Sequence, residues 1–178
     1  MMATSTTALV TVEEFRRMED PPGFRLELHN GEVVKVGSPK HQHWKIQRRI
    51  AAMLTEILGD KGEAGTEFPF RARPEFEIRI ADVAWVSAER FAAIPSDDNL
   101  QGSPEIVVEV LSPSNRAGEL LEKKHLCFSA GCEQFWIVDA KRSIVEVTLA
   151  DSTVHVYKSG DRMPVGLLNI AVEEVFTA

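Results

Sequence analysis

The feature that most restricts this chain is the run Ile106-Val107-Val108-Glu109-Val110-Leu111, five aliphatic residues interrupted by one carboxylate. Such a run presents apolar side chains in both directions, so the strand it forms must be covered on both faces. Trp136-Ile137-Val138 repeats the signal. A sheet with two covered faces needs helices above and below it. One helix is expected to start at Ser38-Pro39, the serine capping and the proline filling the first turn. From there Ile46, Ile50, Met53, Leu54 and Ile57 recur at helical spacing until Gly59 stops the run. A second is expected over residues 116–130, capped by Ser112-Pro113-Ser114-Asn115 and ended by Gly131.

Strand-like segments at residues 64–72, 76–86 and 106–111 lie between these helices, with a loop or short helix over 88–103. A buried strand at 134–139 and a final hairpin of 143–149 with 153–157 follow. Upstream, Thr11 and Glu14 form a capping-box pattern that opens a short helix through about Met18. Phe24 to His29 and Glu32 to Val36 flank Asn30-Gly31, a pair suited to a type I′ turn. The expectation is an α/β chain with a mixed sheet and an α-β-β-β-α-β core, preceded by a helix and hairpin and followed by a hairpin. Residues 10–178 read as a single domain and 1–9 as a loose tail.

At 178 residues the chain can bury a core without staples. No apolar run approaches the roughly 18 residues of a membrane helix. The N-terminus has no basic segment leading into a long apolar stretch, so it does not read as a secretory signal. Cys127 and Cys132 match no zinc spacing and read as reduced thilos of a cytoplasmic protein. The formal net charge of −7 argues against a dedicated, tight nonspecific DNA binder. It suits a site that holds a cation with carboxylates.

Glu109 is one of two carboxylates set among apolar residues. Asp82 shares a strand face with Ile78, Ile80, Ala84 and Val86, all apolar. Burying an unpaired acid is costly, so each position implies a partner or a metal, the plain alternative being a buried salt bridge. Lys124 falls near the middle of the helical stripe Ala117, Leu120, Leu121, Cys127 and Phe128, with Lys123 off its edge. Its plain alternative is a snorkelling side chain. Two carboxylates with an ammonium suit Mg²⁺ or Mn²⁺ and the hydrolysis of a phosphodiester. No Gly-x-Ser-x-Gly elbow or phosphate-binding GxxxxGK[ST] loop supports acyl transfer or nucleotide hydrolysis.

These residues resemble the Uma-two family of the PD-(D/E)XK nuclease superfamily. The stations of the resemblance are Thr11 to Phe15, Leu26-Glu27-Leu28 with Gly31-Glu32, Ser38-Pro39 with His41, and Asp82-Val83-Ala84-Trp85-Val86-Ser87. Glu109 to Ser114, Lys124 with Phe128, Ala130-Gly131 and Glu133 through Phe135 to Asp139 complete them. The resemblance implies a nuclease core in which Asp82, Glu109 and the main-chain carbonyl of Val110 hold the metal and Lys124 assists. The chain departs from the pattern at Ala81, where the family has proline, and at Leu111, where the superfamily has lysine. Glu27 and His41 stand at family positions for an acid and a histidine, with a solvated glutamate and a surface histidine as the alternatives. Lys45, Arg48 and Arg49, with Arg71, Arg73 and Arg79, are the candidates for DNA backbone contacts. The function expected is a Mg²⁺- or Mn²⁺-dependent DNA endonuclease, acting alone or as a homodimer. The rival is a nuclease-fold binding module without useful turnover.

Overall fold

A computed structural model of the protein describes residues 9–112 and 116–177. The tail expected at 1–9, apart from Leu9, and the helix cap expected at 113–115 therefore lie outside the described residues. Helix α1 (Val12–Phe15) opens on the capping box, in which the Glu14 N–H donates to Thr11 Oγ1 at 3.2 Å. It ends earlier than Met18. Strands β1 (Phe24–His29) and β2 (Glu32–Gly37) form the hairpin. Asn30 and Gly31 both have positive φ, at 50° and 84°, as a type I′ turn requires. An antiparallel bridge between Leu28 and Ile78 fastens this hairpin to the rest of the molecule.

Helix α2 (His41–Leu58) begins later than Ser38-Pro39 predicts, with Lys40 at its N-cap and no side-chain cap. It ends at Gly59, whose φ of 55° suits a residue without Cβ. Then come β3 (Gly62–Arg71), β4 (Arg79–Ser87), α3 (Ala88–Ala92), β5 (Leu100–Gln101) and β6 (Ile106–Val110). After α4 (Ala117–Ser129) follow β7 (Gln134–Asp139), β8 (Ile144–Leu149) and β9 (Val154–Lys158). These strands make a seven-stranded mixed sheet in the order β5-β3-β4-β6-β7-β8-β9. The β6–α4–β7 segment is a parallel crossover, β5 also runs parallel to β3, and β4 is antiparallel to both β3 and β6.

Both faces are covered, as the aliphatic runs demand. On one, Ile46, Ile50 and Leu54 of α2 pack with Val108, Val110, Trp136 and Val138. On the other, Cys127 of α4 packs with Val107, Phe135 and Phe70. The β8–β9 hairpin is not the last element, which is a correction. A small hairpin of β10 (Arg162–Val165) and β11 (Leu168–Ala171) and helix α5 (Glu173–Phe176) follow it. Met163, Val165, Ile170 and Val175 from this unit are buried in the α2-side core. Met163 and Val165 alternate with exposed neighbours in β10, but two apolar positions in four residues are too few to mark a strand in the sequence.

Both cysteines are free and buried, and burial pushes each thiol up to about 12. A thiol reagent at pH 8 is therefore expected to label neither in the native protein and both after denaturation. Rapid native labelling would contradict this packing.

Candidate active site

The site forms where the central strands part. Thr66 pairs with Val83 and Phe68 with Ala81, so Glu67 of β3 stands opposite Asp82 of β4. On the other side the β4–β6 ladder stops at Val83 with Val108, and the next residues along are Asp82 and Glu109. Three carboxylates thus sit in a row across three neighbouring strands. The row does not continue as regular sheet: Glu67 has a φ of 52°, uncommon for a residue with a Cβ.

Side chains take over the main-chain hydrogen bonds at this parting. Asp82 Oδ2 accepts the Val110 N–H at 2.7 Å. Glu27 Oε1 accepts the Ile80 N–H at 3.1 Å, and Lys123 Nζ donates to the Ile80 carbonyl at 2.7 Å. Buried main-chain groups must find partners, and here charged side chains supply them. This anchors the charges at the places a sheet would otherwise close.

Lys123, and not Lys124, is the lysine of this cluster. Its Nζ lies 2.6 Å from Glu109 Oε1. Lys124 points instead to β8, 3.4 Å from both Glu146 Oε1 and Thr148 Oγ1. The stripe that placed Lys124 at its centre counted Leu121 as core, but Leu121 is 49% exposed. The buried face of α4 runs through Lys123, Leu126 and Cys127. Rotating the face by this amount exchanges the two lysines.

From α2, His43 and Gln47 reach the same place, four residues apart on one helix face. His43 Nε2 lies 3.0 Å from Asp82 Oδ2, and Gln47 Nε2 donates to Asp82 Oδ1 at 2.8 Å and to Glu67 Oε1 at 2.5 Å. Gln47 is fully buried, and its Oε1 has no hydrogen-bond partner among the described residues. His41 is elsewhere, stacked on Trp44 at 6.2 Å on the outer side of the helix. His43, Gln47 and Glu67 are residues the sequence reading missed. Gln47 carried the usable signal, a polar residue between Ile46 and Ile50 on an apolar stripe.

Electrostatics bind the cluster together. Burial pushes the Glu109 carboxyl up to about 7; Lys123 opposes this and the Asp82 charge adds to it. Burial disfavours the Lys123 ammonium, yet Glu109, Glu27 and Asp82 outweigh it and hold that group above its ordinary value. Glu67 is raised, mainly by burial. Burial works against charge on His43 as well, but the hydrogen bond and charge of Asp82 prevail and raise it. Glu27 would be raised by burial but is lowered by Lys123 and by His29, 2.5 Å from its Oε2. Glu27 is thus a buried neighbour of the lysine, while His41 is not part of the cluster.

The expected cationic contacts divide in two. Arg71 is buried against Asp98 at 2.8 Å. Arg79 is buried between Glu77 at 2.6 Å and Glu122 at 2.9 Å. Both are consumed by internal ion pairs, which corrects their assignment to a phosphate backbone. Arg73, Lys45, Arg48 and Arg49 are exposed. Among the described residues no three His, Cys, Asp or Glu side chains are already arranged to hold a metal ion.

A model of the Uma2 family, described as "Putative restriction endonuclease", matches residues 12–173. The chain belongs to the Uma2 family. The matched span takes in every residue of the Uma2 cluster described above, from Glu27 to Lys123. A solved structure described as a putative nuclease belonging to DUF820, from Anabaena variabilis, is similar over 94% of this chain and 97% of that one. Its TM-score is 0.79 at 16% identity, which establishes the nuclease-like fold this Uma2 chain shares with it. No curated protein matches the chain. In this Uma2 chain Leu111 serves the sheet, its N–H donating to the Val138 carbonyl at 2.8 Å.

Proposed function

We propose that this chain is a divalent-cation-dependent nuclease that hydrolyses phosphodiester bonds in DNA, acting in the cytoplasm. The observation that carries the reading is the meeting of Asp82, Glu109 and Lys123 at the parted strands. The donor set fits a hard cation: the carboxylates of Asp82, Glu109 and Glu67 meet at one place, and the Gln47 amide nitrogen holds two of them side by side. Asp82 and Glu109 would hold Mg²⁺ or Mn²⁺, with the Val110 carbonyl and Glu67 as further oxygens. Bound there, the cation supplies charge neutralisation at the phosphate and a more acidic water.

The chain's own groups do the rest. Lys123, anchored by Glu109 and the Ile80 carbonyl, presents a fixed positive charge to a phosphoryl oxygen or orients the attacking water. Because its neighbours hold the ammonium above its ordinary value, it acts as a donor and not as a proton acceptor. His43 and Gln47 fix the rotamer of Asp82 through its two oxygens.

Mn²⁺ calorimetry with wild type and Glu109→Gln, together with nicking of supercoiled plasmid, tests the reading. Wild type is expected to bind Mn²⁺ and to nick DNA in a way that EDTA abolishes. Glu109→Gln is expected to bind Mn²⁺ at least about tenfold more weakly, a loss of about 1.4 kcal/mol. Equal affinity would remove Glu109 from the site. Metal binding without any nicking would favour the binding-module reading, which the net charge of −7 also supports.

A further inference from the structure

Beside α5, the outer face of α2 borders a groove of about 560 Å³ lined by His41, Trp44, Lys45, Arg48, Arg49 and Phe176, among others. We infer that this groove binds an unpaired stretch of nucleic-acid strand, with Trp44 as the platform for a base and Lys45, Arg48 and Arg49 as contacts for its phosphates. The choice of ligand rests on the nuclease reading; the groove itself is separate from the carboxylate cluster.

Charge complementarity is the first support. The chain carries a formal net charge of −7, yet three cations line this groove and, among the described residues, no Asp or Glu side chain does. The two acids on α5 are engaged elsewhere: Glu173 accepts from the Ser159 hydroxyl at 2.8 Å and Glu174 from the Ala171 N–H at 3.3 Å. Arg49 donates its Nε to the Glu174 carbonyl at 2.9 Å, which fixes that side chain against the groove wall. A positive groove on an acidic protein concentrates a polyanion there.

The second support is Trp44, 40% exposed in the middle of those cations. The Arg48 guanidinium lies 4.9 Å over its ring centroid, and the His41 ring stacks at 6.2 Å with an interplanar angle of 29°. Residues 41, 44 and 48 therefore form a row of planar groups along one helix face. An aromatic platform flanked by arginine is how a strand without base pairs is held: its bases stack and its phosphates meet cations. A closed duplex keeps its base faces within its own stack and has none to offer Trp44. An unpaired segment is thus the ligand that uses both halves of the groove.

Helix α2 also joins the groove to the cluster. His43 and Gln47 bind Asp82 from one face, while Trp44 and Arg48 stand one position further round the helix. A strand lying on the outer face is held by the same rigid element that orients the Asp82 carboxylate.

The test is a fluorescence titration of the full chain with short oligothymidylate, in EDTA and at low salt. Wild type is expected to show tryptophan quenching, affinity that falls steeply with salt, and preference for the oligonucleotide over a blunt duplex of equal length. Trp44→Ala is expected to weaken binding about tenfold, read by anisotropy of labelled oligonucleotide, with Trp44→Phe retaining most of it. Lys45→Ala with Arg48→Ala is expected to flatten the salt dependence. Unchanged denaturation midpoints are expected to accompany these changes, since all three side chains are exposed. Wild-type binding by Trp44→Ala, or preference for the duplex, would overturn the inference. No divalent cation is present, so failure here leaves the nicking result standing, and failure of nicking leaves this result standing.

Discussion

Lys123→Met is expected to lower the stability of the metal-free protein by about 3–5 kcal/mol, the usual loss when one partner of a buried ion pair is removed. The lysine is 8% exposed and faces Glu109, also 8% exposed, while its Nζ supplies the donor for the Ile80 carbonyl. The substitution leaves a buried carboxylate and a main-chain oxygen without partners. Lys124→Met is expected to cost less than about 1 kcal/mol, because its contact with Glu146 is long, at 3.4 Å, and the Glu146 side chain is 34% exposed. Urea denaturation of the two variants separates the cases, and equal losses would contradict the placement of Lys123.

The loss should also depend on pH. Glu109 ionises at about 7 in the folded protein and near its ordinary 4.5 when unfolded. Between these values the folded state binds the extra proton, so this group makes stability fall as pH rises. Without Lys123 to favour its charged form, Glu109 keeps its proton to higher pH. The deficit of Lys123→Met should therefore be smallest near pH 5 and grow as pH rises. A deficit that shrinks with rising pH would mean that another group controls the cluster.

Asp82→Ala is expected to reduce plasmid nicking by about three powers of ten and to abolish calorimetric Mn²⁺ binding. Loss of metal-borne charge stabilisation amounts to several kcal/mol, and each 1.36 kcal/mol is tenfold in rate. Asp82 is also the hub of the local geometry, receiving His43, Gln47 and the Val110 N–H. Asp82→Asn serves as the companion variant, since the amide oxygen can still accept the Val110 N–H. Both variants are expected to lose hydrolysis, with Asn retaining more stability. Nicking by Asp82→Asn within tenfold of wild type would mean that Asp82 positions the strand and does not hold a cation.

The architecture was legible where local patterns and global packing agree. The aliphatic runs around Val107 and Ile137 called for a sheet covered twice, and α2 and α4 cover it. Asn30-Gly31 specified its hairpin because few other pairs accept two positive φ values in succession. Asp82 and Glu109 stood out because an acid on an apolar strand contradicts its surroundings. The C-terminal unit gave no such signal: Met163, Val165 and Ile170 are buried only by joining the α2-side core, far from them in sequence.

Sequence alone was enough to indicate a sheet covered on both faces, the chain order of its core elements and the two acids set among apolar strand residues, since hydrophobic period is a local property. The site lysine, the histidine and the third acid were decided by tertiary structure. One residue of helix rotation moves a side chain by about 100°, so Lys123 and Lys124 are distinguished only by which face of α4 the sheet accepts. Glu67 joins the row only through strand register, and His43 and Gln47 only through the way α2 crosses β3 and β4.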